Sequence, residues 1–266
     1  MPLDLHVTRM FGFCWAAVAF LLLGVQAETQ TAVSTFESFQ TVAVDNQKEG
    51  GPPVAVEIPA VNYSLGGKNK VEFSPTTLIP GAHGQGQVKA SKESVSVDVQ
   101  FSGLENPTKF GNEFLTYVLW GSVPNGRTLK ISELTLEGDR GRVVATTVLR
   151  TFAMMVTAEP YAAVTHPSNM VILKGSSSTN NKTQTALAHV ELLGDAYAPA
   201  GYNYEQLDTN SGYPSEIIQA MNARRIAKVA GAEKYAPEAF RAAEDLYKYM
   251  VSMAIEEKKH QSKLSK

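Results

Sequence analysis

The chain has 266 residues, of which 44% are hydrophobic and 19% are charged, and its formal net charge is −2. This composition is typical of a globular protein, which excludes wholesale disorder and a membrane protein with several spans. Because acidic and basic residues nearly balance, the surface as a whole does not attract a phosphate backbone. We therefore expect no nucleic-acid partner.

Residues 1–27 have the pattern of a secretory signal peptide. Arg9 precedes an apolar run from Met10 to Val25, and Val25-Gln26-Ala27 places small residues at a cleavage site. The run is shorter than the roughly 20 residues that a spanning helix needs, so we expect cleavage. Retention as a membrane anchor is the alternative. No later stretch is long and apolar enough to span a bilayer, and we expect no transmembrane span after cleavage.

The single cysteine, Cys14, lies inside the apolar run. Cleavage would therefore leave a mature chain without cysteine, which excludes thiol catalysis, cysteine-ligated zinc and disulfide bonds. An exported protein without disulfides fits a bacterial periplasm better than a eukaryotic secretory route. We expect the protein to be exported, either into the periplasm or in association with the outer membrane.

Residues 28–70 are rich in Thr, Gln, Ser and Gly and show no helical period. This pattern predicts a flexible lead-in, with one short strand near Val54–Ile58.

Residues 71–174 follow a period of two, which is typical of β-strands. Apolar and polar residues alternate along Val95–Phe101, as in a half-buried strand, whereas Phe114–Trp120 carries large apolar groups on both sides, as in a central strand covered on both faces. About seven such segments follow one another without a helix, which predicts an antiparallel β-sandwich of immunoglobulin-like size.

Residues 175–213 read as a linker or irregular segment. A polar run, Gly175–Asn181, opens the segment, and Ala186–Leu193 is compatible with either a strand or a short helix. Its second half contains four tyrosines separated by Pro and Gly, namely Tyr197, Tyr202, Tyr204 and Tyr213.

Residues 214–266 predict an α-helical hairpin. Pro214 followed by Ser215 starts the first helix, and Gly231 with Pro237 marks the break before the second. The second helix carries two adjacent apolar seams, so its apolar face is unusually wide. The first seam is Ala236, Phe240, Ala243, Tyr247, Met250 and Ala254, and the second is Ala239, Ala242, Leu246, Tyr249 and Met253. One seam packs against the first helix. The other seam must pack against the β-domain, a second copy or a different protein, so Leu246, Tyr249 and Met253 are candidate interaction residues.

The chain shows no recognisable catalytic motif. Neither a Gly-x-Ser-x-Gly elbow nor a Ser-x-x-Lys is present. A serine triad stays open, since its members need not be close in sequence. The histidines after residue 27 have no second ligand at metal spacing, and these are His83, His166, His189 and His260. We therefore expect a non-enzymatic protein without a cofactor or a metal.

Three charged residues are further candidates for interaction. Glu159 ends an apolar strand beside Pro160, where it either contacts a ligand or partner or accepts hydrogen bonds from the backbone or a tyrosine hydroxyl. Arg224 and Arg225 suit anionic glycans or lipid headgroups, although such a pair is also common on a solvated helix face.

Several stretches of the sequence resemble a known family of exported OmpA-like proteins from Gram-negative envelopes. The matching stretches are Phe114–Gly121, Pro124–Arg127, Phe152, Val156–Tyr161, Val164–Ser168 and Ala230–Phe240. The resemblance implies a β-domain followed by a helical segment in the cell envelope. Family members continue into a C-terminal domain that binds peptidoglycan. This sequence stops where that domain is expected to begin, so no ligand-binding residue is carried over.

The function predicted from the sequence is that of a non-enzymatic cell-envelope protein, a structural or interaction module. Its partner is expected to be an envelope protein, the cell wall or a second copy of the chain. The alternative is a carbohydrate- or peptidoglycan-binding module, in which exposed tyrosines form a stacking platform for sugars.

We expect export to leave a mature N-terminus at Glu28, because small residues occupy the cleavage positions directly before it. N-terminal sequencing of exported material tests this expectation. A chain that begins at Met1 would show that the segment is retained as an anchor.

Overall fold

A computed structural model describes residues 54–63, 67–177, 184–193 and 212–264, together with 202, 203, 205 and 207–209. This part of the chain is mostly β, with helices at its C-terminal end. The strands are β1 Val54–Asn62, β2 Lys68–Pro75, β3 His83–Ala90, β4 Val95–Ser102, β5 Thr116–Ser122, β6 Thr128–Leu134, β7 Leu136–Glu137, β8 Arg140–Thr147, β9 Thr151–Glu159, β10 Val171–Ser177 and β11 Gln184–Leu192. The α-helices are α1 Ser215–Val229, α2 Ala232–Tyr235 and α3 Pro237–Leu264, and one 3-10 helix covers Pro107–Phe110. The predicted signal peptide lies outside the described residues.

The strands form one antiparallel sheet that branches at β9. Its main path runs β11-β1-β9-β10-β2-β3-β4-β8-β7, and β5 joins β9 and carries β6. Along one edge of β9 lies β5, while the other edge pairs first with β1 and further on with β10. Because β6 approaches β8 without forming a ladder with it, the sheet is nearly closed.

Strand β5 is buried along its whole length, as its sequence predicts. Tyr117 and Leu119 belong to the apolar core that the curved sheet encloses. The alternate residues, Val118 and Trp120, belong to a second core with Ile58 of β1. The prediction of a central strand covered on both faces is therefore confirmed. The alternating burial of β4 likewise confirms the half-buried strand predicted at Val95–Phe101.

The sheet extends beyond residues 71–174 at both ends. Strands β1 and β11 pair with each other from Val54↔Leu192 onward, although they come from the predicted lead-in and the predicted linker. Their pairing covers the outer faces of β5 and β9, where apolar side chains would otherwise meet water. The segment Ala186–Leu193 thus contributes a strand. A mainly antiparallel β fold with C-terminal helices is confirmed, while the sandwich and the hairpin stay predictions.

The helical region begins and breaks where the sequence predicts. Helix α1 starts directly after Pro214, and Gly231 adopts φ +84°, a left-handed conformation that glycine tolerates best. Helix α3 then starts at Pro237, where a missing backbone N–H is harmless. Among the described residues, no helix is both long and apolar enough to cross a membrane.

We expect Gly86→Ala to destabilise the sheet by about 1–3 kcal/mol, a typical cost of overpacking. A Cβ at Gly86 in β3 would lie 2.2 Å from the carbonyl oxygen of Asp98 in β4, where only a backbone shift makes room. The matched control is Gly81→Ala, since a Cβ there meets no atom within 4 Å. Chemical denaturation of both variants measures the difference. Equal unfolding free energies would contradict the proposed close contact between β3 and β4.

Candidate interaction surface

Helix α1 is attached to the sheet by a small apolar cluster. Ile218 packs against Leu115, which precedes β5, and against Leu207. Tyr213 and Met221 cover this cluster from the side. Ile217 and Ile226 of α1 are buried as well, and polar contacts add to this apolar packing.

A buried glutamine helps to fix the position of α1 on the sheet. Gln219 is 5% exposed, and its Oε1 accepts a hydrogen bond from the backbone N–H of Ala162 at 2.7 Å. Its Nε2 donates a hydrogen bond of 2.8 Å to the Glu133 carboxylate. The same carboxylate accepts a hydrogen bond of 2.6 Å from the Thr116 hydroxyl. A shift of α1 would leave the buried Gln219 side chain without its partners, which costs more than such bonds contribute when they form.

Asn222 makes a second polar contact one turn further along α1. Its side chain is fully buried, and its Nδ2 donates to the carbonyl oxygen of Pro160 at 3.3 Å. The hydroxyl of Tyr202 donates to its Oδ1. Burial raises the pKa of Tyr202 above its ordinary value, partly offset by nearby Arg225, so the hydroxyl keeps its proton. Tyr202 therefore serves an internal contact.

Glu159 lies inside the protein at the end of β9, with no exposed surface. Its Oε1 accepts a hydrogen bond from the backbone N–H of Ser168 at 2.8 Å and another from the hydroxyl of Thr157. Thr157 in turn accepts from the indole N–H of Trp120 at 2.7 Å. Burial and the nearby Glu159 together raise the pKa of Tyr161. Glu159 is thus part of an internal hydrogen-bond chain that reaches into the second core.

Arg224 and Arg225 also have partners within the chain. Arg224 donates to Glu244 of α3 and lies over the ring of Tyr247, 5.4 Å from its centroid. This hydrogen bond holds the pKa of Glu244 below its ordinary value. Arg225 lies over the ring of Tyr202 at 5.3 Å. Both guanidinium groups therefore help to hold α1 against its neighbours.

The inner side of α3 differs slightly from the predicted first seam. Phe240 and Ala254 are buried, as expected, and Val251 lies half-buried between them in sequence. Met250 and Ala243, which the sequence pattern assigned to this side, are exposed. Ala236 and Tyr247 of the predicted row are half-buried, so four of its six residues lie on the inner side, and only Ala243 and Met250 are replaced there by their neighbours Glu244 and Val251.

The second predicted seam of α3 is exposed along its whole length. We call Ala239, Ala242, Leu246, Tyr249 and Met253 the outer seam, and all five are exposed. The exposed fractions are 55% for Leu246, 59% for Tyr249 and 49% for Met253, and Met250 beside them is 37% exposed. Large apolar side chains grouped in this way on one helix face are typical of a protein contact surface. Sequence reasoning missed Met250 because it assigned that residue to the inner side.

A cavity of about 260 Å³ lies beside the start of α1. Its lining includes Tyr117, Glu133, Ser215 and Glu216. Glu133 in this lining is already engaged by Gln219 and Thr116. Within the described part of the chain, no three side chains that ligate metals come together.

Comparisons of this chain with family models, with curated proteins and with solved structures find no match. The geometry separates the predicted site residues into two groups. Glu159, Arg224 and Arg225 lie at or near the junction between sheet and helices, whereas the outer seam with Leu246, Tyr249 and Met253 forms a separate, exposed surface.

We expect Gln219→Leu to lower the free energy of unfolding by about 1–3 kcal/mol, because the Ala162 N–H and the Glu133 carboxylate lose a buried partner. Gln87→Leu is the matched control, since Gln87 is exposed on β3. Denaturation measures stability, and hydrogen exchange in α1 measures local opening. An unchanged α1 exchange rate would show that Gln219 does not hold the helix.

Proposed function

We propose that this chain is a non-enzymatic exported protein of the cell envelope that acts as a structural and interaction module. One observation carries the proposal, namely the exposed outer seam on a long helix that is held in place from its other side. Isolated apolar side chains on a surface need no explanation, but a continuous row of them does.

In this proposal the curved sheet is a sandwich-like scaffold and the helices form a hairpin that presents the outer seam. Hydrogen bonds from Gln219 and Asn222 support the fixed attachment of α1 to the sheet. The pairing of Arg224 with Glu244 supports the fixed attachment of α3 to α1. A partner that binds the outer seam would therefore be coupled mechanically to the sheet.

The proposed location in the envelope rests on the sequence. Residues 1–27 have the pattern of a signal peptide, and Cys14 within them is the single cysteine. The resemblance of Phe114–Gly121 and Val156–Tyr161 to exported OmpA-like proteins supports the same location. We propose the periplasm or an association with the outer membrane.

The charged candidate residues form contacts within the chain, which supports a role in binding rather than in catalysis. Glu159 accepts hydrogen bonds from Thr157 and Ser168 within the protein, and Arg224 pairs with Glu244. A catalytic carboxylate must reach a substrate, and the buried position of Glu159 does not favour this role.

The carbohydrate-binding alternative has weaker support. Tyr202 is engaged by Asn222, and the ring of Tyr213 lies under Lys258 at 4.8 Å. These rings are therefore not arranged as an open stacking platform. Tyr197 and Tyr204, which also suggested this alternative, lie outside the described residues.

Cross-linking with envelope extracts, run beside a pull-down on purified peptidoglycan, tests the proposed function. We expect the double variant Leu246→Ser with Met253→Ser to lose its cross-links while its melting temperature changes little, since both side chains are about half exposed. The double variant Val144→Ser with Val148→Ser is the matched control, because these valines are 68% and 74% exposed on the sheet side. It should keep every cross-link.

Two outcomes would contradict the proposal. If the variant of the outer seam keeps every cross-link but melts at a lower temperature, the seam is internal packing. Retention on peptidoglycan by both double variants, without protein cross-links, would favour the carbohydrate-binding alternative.

A further inference from the structure

We infer that the outer seam binds the outer seam of a second copy of this chain, with the two α3 helices antiparallel. This inference rests on the proposed function and specifies its partner. The five residues of the outer seam follow one another at intervals of three and four, which is the spacing of the core positions of a coiled coil. Such a row fits another helix better than it fits a flat surface or a small ligand.

The sizes of the side chains favour the antiparallel orientation. With a two-fold axis between Tyr247 and Lys248, Leu246 lies opposite Tyr249 of the second copy, and Ala242 lies opposite Met253. Each layer then combines side chains of different shape, and the small Ala242 leaves room for Met253. In a parallel pair each residue would face itself, so Ala242 would leave a gap and Tyr249 would crowd its own copy.

The flanking residues are also complementary in this register. On one side of the seam, Glu238 lies beside Lys259 of the second copy, and two-fold symmetry forms this ion pair twice. On the other side, Ala243 lies beside Met250, so the exposed Met250 is covered as well. Lys259 now pairs with Glu256 of its own helix at 3.0 Å, with both side chains well exposed. Exchanging one surface ion pair for another costs little.

Neighbouring registers are less favourable. A shift of one heptad toward the N-terminus places Asp245 beside Asp245 of the second copy, and like charges repel. A shift of one heptad in the other direction places Leu246 opposite Glu256, so that a large apolar side chain covers a carboxylate, whereas in the proposed register Glu256 faces only the small Ala239 at the end of the seam. The single register that remains covers Leu246, Tyr249 and Met253 together.

Cysteine cross-linking in the full chain tests the orientation. Cys14, the single cysteine, is first replaced in Cys14→Ser. In that background, a mixture of the Ala242→Cys and Met253→Cys variants should form a disulfide-linked dimer, because the two positions face each other in the antiparallel pair. Each variant alone should form little or none. Disulfide dimers from Met253→Cys alone, without the mixed species, would overturn the antiparallel arrangement.

Sedimentation over a wide concentration range tests the association itself. We expect the wild-type chain to dimerise and Leu246→Ser with Met253→Ser to raise the dissociation constant about tenfold or more. Val144→Ser with Val148→Ser should dimerise like the wild type. As a second variant, Glu238→Lys should weaken the dimer, and its combination with Lys259→Glu should restore it. Failure of the combination to restore it would overturn the register.

The outcomes separate this inference from the proposed function. The wild-type chain could stay monomeric at every concentration while its outer seam still cross-links to another envelope protein. That result would overturn the inference that the partner is a second copy, but it would not contradict the proposed function. A monomer that forms no cross-links through the seam overturns both.

Discussion

The whole fold depends on the position of β9, because three neighbouring strands pair with its two edges. With β5 on one side and β1 and β10 in succession on the other, β9 joins the curved sheet to the β1–β11 pair. Both of its faces are buried as well, and its alternate side chains supply two separate cores. Phe152 and Val156 enter the first core, while Ala153 and Met155 enter the second. Removing β9 would expose both cores at once.

Near its end β9 changes from apolar to polar residues, and this change determines where the helices attach. Thr157 and Glu159 continue the row of Met155, but they form hydrogen bonds where the earlier residues form apolar contacts. Pro160, directly after the strand, offers its carbonyl oxygen to Asn222 of α1. Buried polar groups have narrow geometric requirements, so they orient α1 more strictly than apolar packing does. The orientation of α1 then decides which side of α3 faces solvent.

Local patterns predicted local structure well. The alternation along Val95–Phe101, the two apolar faces of Phe114–Trp120 and the break at Gly231 all depend on neighbours in sequence, and each is found as predicted. The pairing of β1 with β11 depends on residues far apart in the chain, so neither strand's sequence revealed it. The internal role of Asn222 was missed for the same reason. Two positions of the inner row of α3, Ala243 and Met250, were misplaced by one residue, because Met250 and Val251 are both apolar and the sequence pattern alone does not decide between them.

The exposed outer seam also bears on the stability of α3 itself. Helices gain most of their stability from packing an apolar face, and α1 covers one side of α3 only. Of the described side chains of α3, Phe240 and Ala254 are buried, while Leu246, Tyr249 and Met253 remain about half exposed in a single copy. Binding at the outer seam would stabilise the folded helix by mass action, in proportion to the logarithm of the partner's concentration. In this arrangement, the side chains that leave α3 incompletely packed in one chain are the same ones that bind the second copy. The stability of the folded α3 helix and the association of the chains are therefore linked.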